Sequence, residues 1–339
     1  MNALDWEERQ DTKKIDRKRF GWKQFIPNKV SLFLEIFCNV FGVTFSNNLL
    51  INQLIHMSTN TMENIIKEGL TPIGVQENGE TFGLSPEERP GILHLFGRFG
   101  HGKSVTLEDI VISDIHNGRG GMLIDPYGDL IKDIQSYIPA DKANKVAIFE
   151  AQAEKLDENI TKFRKEIHFE EMKKDSQKFL LCKLDYRSLG TGVARELGLY
   201  LVKQFLQIVG GENRSLGLDE AHNFIDEEVL EQIVQSKESG LSCILSDQTS
   251  MHYRTDILER TLEAANHVLC YFVDSATANL INKYHSEMSP SELTSLEKYN
   301  FMAKVNAKTA SPAVLKLKGV FPIPYPNKGI VKKIIFLHT

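Results

Sequence analysis

The run Gly97-Arg98-Phe99-Gly100-His101-Gly102-Lys103-Ser104 has the spacing GxxxxGK[ST]. A glycine-rich turn of this length exposes successive backbone N–H groups around a phosphate, at the positive end of the helix it opens. Lys103 would reach the β- and γ-phosphates and Ser104 would ligate Mg²⁺, with Gly97, Gly100, His101, Gly102 and Val105 completing a cradle for ATP. The chemistry implied is transfer of a γ-phosphoryl group, which needs positioning and charge neutralisation more than covalent catalysis.

Hydrolysis asks for two more groups, a carboxylate on a neighbouring strand to hold Mg²⁺ and a base to polarise the attacking water. Ser215-Leu216-Gly217-Leu218-Asp219-Glu220 offers both. Asp219 ends an apolar run as the Mg²⁺ partner, and Glu220 projects beyond it as the base; a surface acidic pair is the bland alternative. In Cys243-Ile244-Leu245-Ser246-Asp247-Gln248, the Gln248 amide stands just past another apolar run. It could donate to the γ-phosphate and accept from water, or serve as a turn amide.

These residues need a sheet to hold them. From about residue 76 to 285, short apolar runs alternate with amphipathic stretches, the pattern of a mostly parallel sheet flanked by helices. Strands are expected at 91–97, 121–125, 145–149, 178–184, 215–219, 242–246 and 267–272, and a helix at 104–116, stopped by Asn117-Gly118. Residues 1–75 read as a helical N-terminal region, 76–285 as the α/β core, and 286–339 as a C-terminal wrapping segment with a lysine-rich tail. Glu154–Lys174 carries twelve charges in 21 residues with one apolar stripe, a helix lying on a surface.

Composition narrows the class. The 339 residues are 42% hydrophobic and 25% charged, which excludes a disordered, collagen-like or disulfide-scaffold chain. The net charge of −5 is no generic nucleic-acid binder's, yet residues 301–339 hold seven lysines and no acid. That tail and the basic cluster at 13–23 are the candidate phosphate-facing surfaces. Cys38, Cys182, Cys243 and Cys270 lie in apolar runs without CxxC spacing and read as buried free thiols in a reducing cytoplasm. Val30–Phe45 is about 16 apolar residues, short of the ~20 a bilayer needs, so a buried helix is expected there and peripheral contact with the inner membrane face is the alternative.

The blocks LFGRFGHGKS, GRGGMLIDPYGDL, IPADKANKVAIFE, KFLLCKLDYRSLGTGVARELGLYLVKQFL, SLGLDEAHNFID and ESGLSCILSDQ, in this order, resemble the conjugative DNA-transfer coupling ATPases of type IV secretion, TraG/TraD-type proteins within the FtsK/HerA superfamily. The resemblance covers residues 80–300. It implies a RecA-like motor that assembles into a ring, a hexamer by the family's habit, and spends ATP with Mg²⁺ to move DNA. A secretion-channel or relaxosome protein would be its partner. Lys103, Ser104, Asp219, Glu220 and Gln248 carry over position by position. Asp125 matches the family's aspartate after the second strand and reads equally as a cap for the turn Pro126-Tyr127-Gly128.

The chain departs from the family where a large all-α insertion is replaced by about 28 residues near 150–178, and where Tyr271-Phe272 stands in place of a Phe-Arg pair. Asp219-Glu220-Ala221-His222 also spells the DEAH-box signature, but no second RecA-like motif set follows residue 240, and His222 reads as a helix-start residue. Ring ATPases usually complete their sites with an arginine from the next subunit. Arg187, Arg195, Arg254 and Arg260 are the candidates, each also readable as a surface ion-pair partner, and Arg260 is the first choice. A secretion-assembly ATPase acting on protein partners, or a viral DNA-packaging motor, would use the same core.

Overall fold

Leu, Ile and Val fill the short apolar runs, and in the computed structural model these runs become strands. The structure describes residues 68–151, 169–210, 213–306, 313–319 and 332–335. The strands are β1 (Thr71–Val75), β2 (Thr81–Leu84), β3 (Gly91–Phe96), β4 (Gly121–Asp125), β5 (Val146–Glu150), β6 (Phe179–Lys183), β7 (Ser215–Asp219), β8 (Ser242–Asp247), β9 (Ala265–Cys270), β10 (Asn300–Val305), β11 (Ala313–Lys318) and β12 (Lys332–Ile335). Among the described residues they form one twelve-stranded sheet, in the order β12, β5, β6, β4, β7, β8, β3, β9, β10, β11, β1, β2. From β12 to β9 every pairing is parallel; from β9 to β2 every pairing is antiparallel.

The parallel half is covered on both faces, so its strands read as continuous apolar runs. All residues of β3, β4, β7 and β8 are buried. Alternate side chains feed two cores, Ile92, Phe96, Met122 and Ile124 on one face, Leu93, Leu95 and Leu123 on the other. The helices are α1 (Lys103–His116), α2 (Asp129–Ile134), α3 (Phe169–Lys174), α4 (Tyr186–Leu189), α5 (Thr191–Ile208), α6 (Glu227–Ser236), α7 (Thr255–Ala264), α8 (Ser275–Tyr284) and α9 (Pro290–Leu293). Leu107, Ile110, Val111 and Ile115 of α1 enter the second core, whereas Leu197, Leu201 and Phe205 of α5 enter the first. The buried Arg89 locks α1 to the sheet, donating to Asp114 at 3.0 Å, Thr71 at 2.7 Å and Ser242 at 3.0 Å.

The seven expected strands and the expected helix are found within two residues at each end. The sheet extends beyond the 76–285 span. β1 lies before it, and β10 and β11 continue the sheet beyond β9, with Phe301, Ala303, Val305 and Leu317 buried in the second core. Two of the tail lysines are ion-paired: Lys304 lies 3.3 Å from Glu287, and Lys316 lies 2.8 Å from Glu292. Cys182, Cys243 and Cys270 are buried free thiols. Among the described residues no helix is long and apolar enough to cross a membrane. Val30–Phe45, the 13–23 cluster, Cys38, most of Glu154–Lys174 and several tail lysines lie outside the described residues.

Candidate nucleotide site

The carboxyl ends of β3, β4, β6, β7 and β8 open onto one cleft of about 660 Å³. In open α/β sheets this edge is where ligands bind. Gly100, Gly102, Lys103, Ser104 and Val105 line it, as do Asp219, Glu220 and Gln248. The structure thus brings together most of the residues singled out from sequence.

The loop between β3 and α1 owes its shape to glycine. Gly102 precedes the helix at φ 113°, where an L side chain is strained. A Cβ on Gly97 would come within 2.6 Å of the Tyr271 side chain. No side chain caps α1 and no acid stands in its first turn, so the N–H groups of Lys103 and Ser104 keep their positive field for an anion. Gly97 and His101 stand outside the cleft lining. The His101 N–H donates to the Arg98 carbonyl at 3.3 Å, and its own carbonyl accepts from Tyr299 N–H at 3.1 Å.

Lys103 Nζ donates to Ser246 Oγ at 2.8 Å, and Ser246 Oγ donates to Asp219 Oδ1 at 2.8 Å. Ser246, at the end of β8, was not among the residues picked from sequence; its position two residues before Gln248 is the only signal for it. Glu220 follows β7 at φ 51°, a left-handed conformation that turns its carboxylate out of the strand line. Gln248 Nε2 donates to Glu220 Oε1, so the amide holds the carboxylate. Burial pushes the Glu220 carboxyl above its ordinary range, while Lys103 and the Gln248 hydrogen bond pull the other way.

Asp247, fully buried, is a hub that sequence reasoning missed. It accepts from the His222 backbone N–H at 3.1 Å and from Tyr253 OH at 2.7 Å, and it is hydrogen-bonded to His222 Nδ1 at 3.1 Å and His94 Nε2 at 3.0 Å. Burial alone would raise its pKa, but the hydrogen bonds from His222 and His94 win and hold it far below the usual carboxylate range. His222 does sit in the short helical turn 221–223, and its ring also links the ends of β7 and β8.

Asp125 caps its own turn, accepting from the N–H groups of Tyr127, Gly128 and Ile131 at 2.9, 2.7 and 3.0 Å, and it forms part of the cleft wall. Tyr271 and Phe272 support the glycine-rich loop from behind. The Tyr271 hydroxyl is hydrogen-bonded to Thr106 Oγ1 at 2.5 Å, and the Phe272 ring stacks on His101 with centroids 5.1 Å apart.

The arginines separate clearly. Arg260 lies on α7, paired to Glu227 at 2.9 Å and Glu231 at 3.3 Å of α6, outside its own chain's cleft. Arg254 pairs with Asp256 at 2.7 Å, and Arg195 Nε donates to the Asn223 carbonyl at 3.2 Å. Arg187 alone of the four lines the cleft. For Mg²⁺ the donor set offers one hydroxyl from Ser104 and one carboxylate from Asp219, which suits a cation that keeps most of its waters.

No protein-family model and no curated protein matches the chain. Among solved structures, the bacterial conjugative coupling protein TrwB in its unbound form matches with a TM-score of 0.55 at 10% identity, covering 80% of this chain and 95% of that one. TrwB in complex with a non-hydrolysable ATP analogue gives a TM-score of 0.53, also at 10% identity, over 79% of this chain and 95% of that one. The genome packaging NTPase B204 from Sulfolobus turreted icosahedral virus 2, bound to AMPPCP, gives 0.43 at 15% identity over 70% of this chain and 100% of that one. With its parallel sheet, flanking helices and glycine-rich loop at the carboxyl edge, the chain has the RecA-like fold of the P-loop NTPases.

Proposed function

We propose that the protein is an ATP hydrolase that works as a DNA translocase, assembling into a ring, a hexamer in the family it resembles, to move DNA as in conjugative transfer. The observation that carries the reading is the convergence, in one cleft, of the Lys103–Ser246–Asp219 chain with the Glu220–Gln248 pair. A phosphate-binding turn alone would serve a nucleotide switch. A buried carboxylate of raised pKa, held by an amide beside that turn, is equipped to take a proton from water.

In this account the Lys103 ammonium and the amides at the start of α1 hold the β- and γ-phosphates. Ser104 and Asp219 would hold Mg²⁺, which when bound neutralises charge on the phosphate oxygens. Glu220 orients the attacking water and accepts its proton, and Gln248, bonded to Glu220, registers whether the γ-phosphate is present. Asp247 next to Gln248 ties this change to Tyr253, while Thr249 and Ser250 bond to Asp274 and Thr277 at the start of α8. That is a continuous route from the γ-phosphate to surface loops that could grip DNA.

DNA as the cargo rests on the ordered sequence blocks and on the TrwB-like fold. The link between β5 and β6 spans only residues 151–178, with no large all-α insertion, and this compactness favours a viral packaging motor as the second reading. A secretion-channel or relaxosome partner and a cytoplasmic site of action belong to the conjugative version. The test is steady-state ATPase activity with and without single- or double-stranded DNA. Several-fold stimulation supports a translocase, whereas turnover indifferent to DNA points to a protein substrate.

A further inference from the structure

Three described non-glycine residues have positive φ: Asp185 at 46°, Glu220 at 51° and Tyr299 at 69°. Glu220 and Tyr299 line the nucleotide cleft, and Asp185 stands two residues before Arg187, which lines it too. Such conformations persist only where their surroundings over-determine them, and they gather where a side chain must be aimed.

The turn at the end of β6 is built accordingly. Leu184 N–H donates to the Asp125 carbonyl at 3.1 Å and Tyr186 N–H to the Pro126 carbonyl at 2.9 Å, fastening this turn to the one after β4. Ser188 and Leu189 N–H both donate to the Asp185 carbonyl at 3.0 Å. The Tyr186 ring turns inward onto Phe224, with centroids 6.3 Å apart, and meets Tyr127 at 6.0 Å. Arg187 is thereby left on the cleft wall beside Tyr127, whose phenol feels Arg187 together with Glu220 and Asp219.

Four cations line the cleft: Arg98, Lys103, Arg187 and Lys298. Lys103 is held by Ser246 and Asp219. Arg98 lies 5.7 Å from the Phe272 ring and Lys298 lies 4.9 Å from the Tyr299 ring, both on the side of the loop that faces β9 and β10. Arg187 makes no ion pair and no side-chain hydrogen bond among the described residues, although Asp125, Asp219 and Glu220 share its cleft. Neighbouring strands are about 4.8 Å apart, so β6 ends roughly 10 Å from β7, across β4. Arg187, in the turn after β6, and Glu220, just after β7, line the same cleft from the two sides of that gap.

We propose that Arg187 is a catalytic arginine acting in cis, its guanidinium donating to the γ-phosphate oxygens of ATP bound in the same chain. The inference rests on the ATPase reading above. The step it assists is hydrolysis: a water oxygen bonds to the γ-phosphorus while the bond to the β–γ bridging oxygen breaks. ADP leaves with that electron pair, and Glu220 takes the water's proton. Arg187 forms no covalent bond. It neutralises charge that spreads over the equatorial oxygens, where a planar two-pronged donor is most effective.

The experiment compares wild type with Arg187→Ala and Arg187→Lys, melting temperature confirming the fold and ATPγS affinity reporting binding. We expect Arg187→Ala to lose at least ~100-fold in kcat, since catalytic arginines contribute about 10³–10⁵, with ATPγS affinity within about threefold and poor rescue by lysine. Lys103→Ala and Arg187→Ala chains are then co-expressed with different tags and purified over both. A cis arginine leaves every site in the mixed assembly short of one group, so activity stays lost; where the active wild type sediments as a monomer, the loss in Arg187→Ala is itself a single-chain effect. Recovered activity in the mixture would place the arginine in trans and overturn the proposal. So would Arg187→Ala turning over within threefold of an active wild type. A wild type without Lys103-dependent turnover would instead sink the ATPase reading itself.

Discussion

Lys103 Nζ and Asp219 Oδ1 stand 3.5 Å apart, bridged by Ser246 Oγ at 2.8 Å from each. Three strands meet in that contact: the lysine follows β3, the aspartate ends β7 and the serine lies near the end of β8. The bridge fixes the ammonium over the carboxyl edge of the sheet, where in the proposed function the helix field and the lysine charge would act on the same phosphate.

Replacing Ser246 with alanine removes two buried hydrogen bonds to charged groups, of a kind worth about 1.5–3 kcal/mol each. The Lys103–Asp219 ion pair remains. The expected result is a fall of roughly 10–100-fold in kcat/KM with the fold intact, read from steady-state kinetics and circular dichroism. Unchanged kinetics would remove Ser246 from the account.

Asp247→Ala strands His94, His222 and Tyr253 without their buried acceptor. Such losses cost about 3–5 kcal/mol, measurable by urea unfolding. Because its native pKa is depressed, Asp247 stabilises the fold at pH values above the ordinary carboxylate range, and that contribution is lost as pH falls through and below this range. The gap in unfolding free energy between wild type and Asp247→Asn should therefore shrink from pH 7 to pH 3.

Tyr271→Phe deletes only the Thr106 hydrogen bond, a cost of about 1 kcal/mol. Tyr271→Ala opens a void under Gly97 and Gly102 and should cost about 3–5 kcal/mol. The larger change should also weaken nucleotide binding, by fluorescence titration, far more than the smaller one.

Arg260→Ala removes an exposed ion pair with Glu227 and Glu231, of the kind worth about 0–1 kcal/mol. ATPase activity within twofold of wild type is expected. A large loss would restore Arg260 as the arginine that serves a neighbouring subunit.

The phosphate loop, the acidic strand end and the parallel strands were legible because local patterns determine them: glycine spacing, apolar run length and the helix that follows. Gln248 was legible as a position, though not as the partner of Glu220. What escaped the sequence was contact between distant segments. Ser246 and Asp247 read as the polar end of a strand until β7 and β8 are paired. Tyr271-Phe272 read as a missing Phe-Arg pair until their rings are seen beneath Gly97 and His101. Arg187 and Arg260 both stand as candidate arginines in sequence, and the fold places one on the cleft wall and the other against α6. Strands are one reading of the C-terminal segment from sequence, but the pairing of β10 and β11 into the sheet is visible only once β9 is in place.

The central claim is that this cleft hydrolyses ATP with Lys103 as phosphate holder and Glu220 as base. Its most direct test is single-turnover hydrolysis of γ-labelled ATP by wild type, Lys103→Ala and Glu220→Gln, with bound nucleotide measured in parallel. The account predicts phosphate release by wild type, loss of both binding and release in Lys103→Ala, and retained ATP with release slowed ~100-fold or more in Glu220→Gln. Release at the wild-type rate from Glu220→Gln would contradict it.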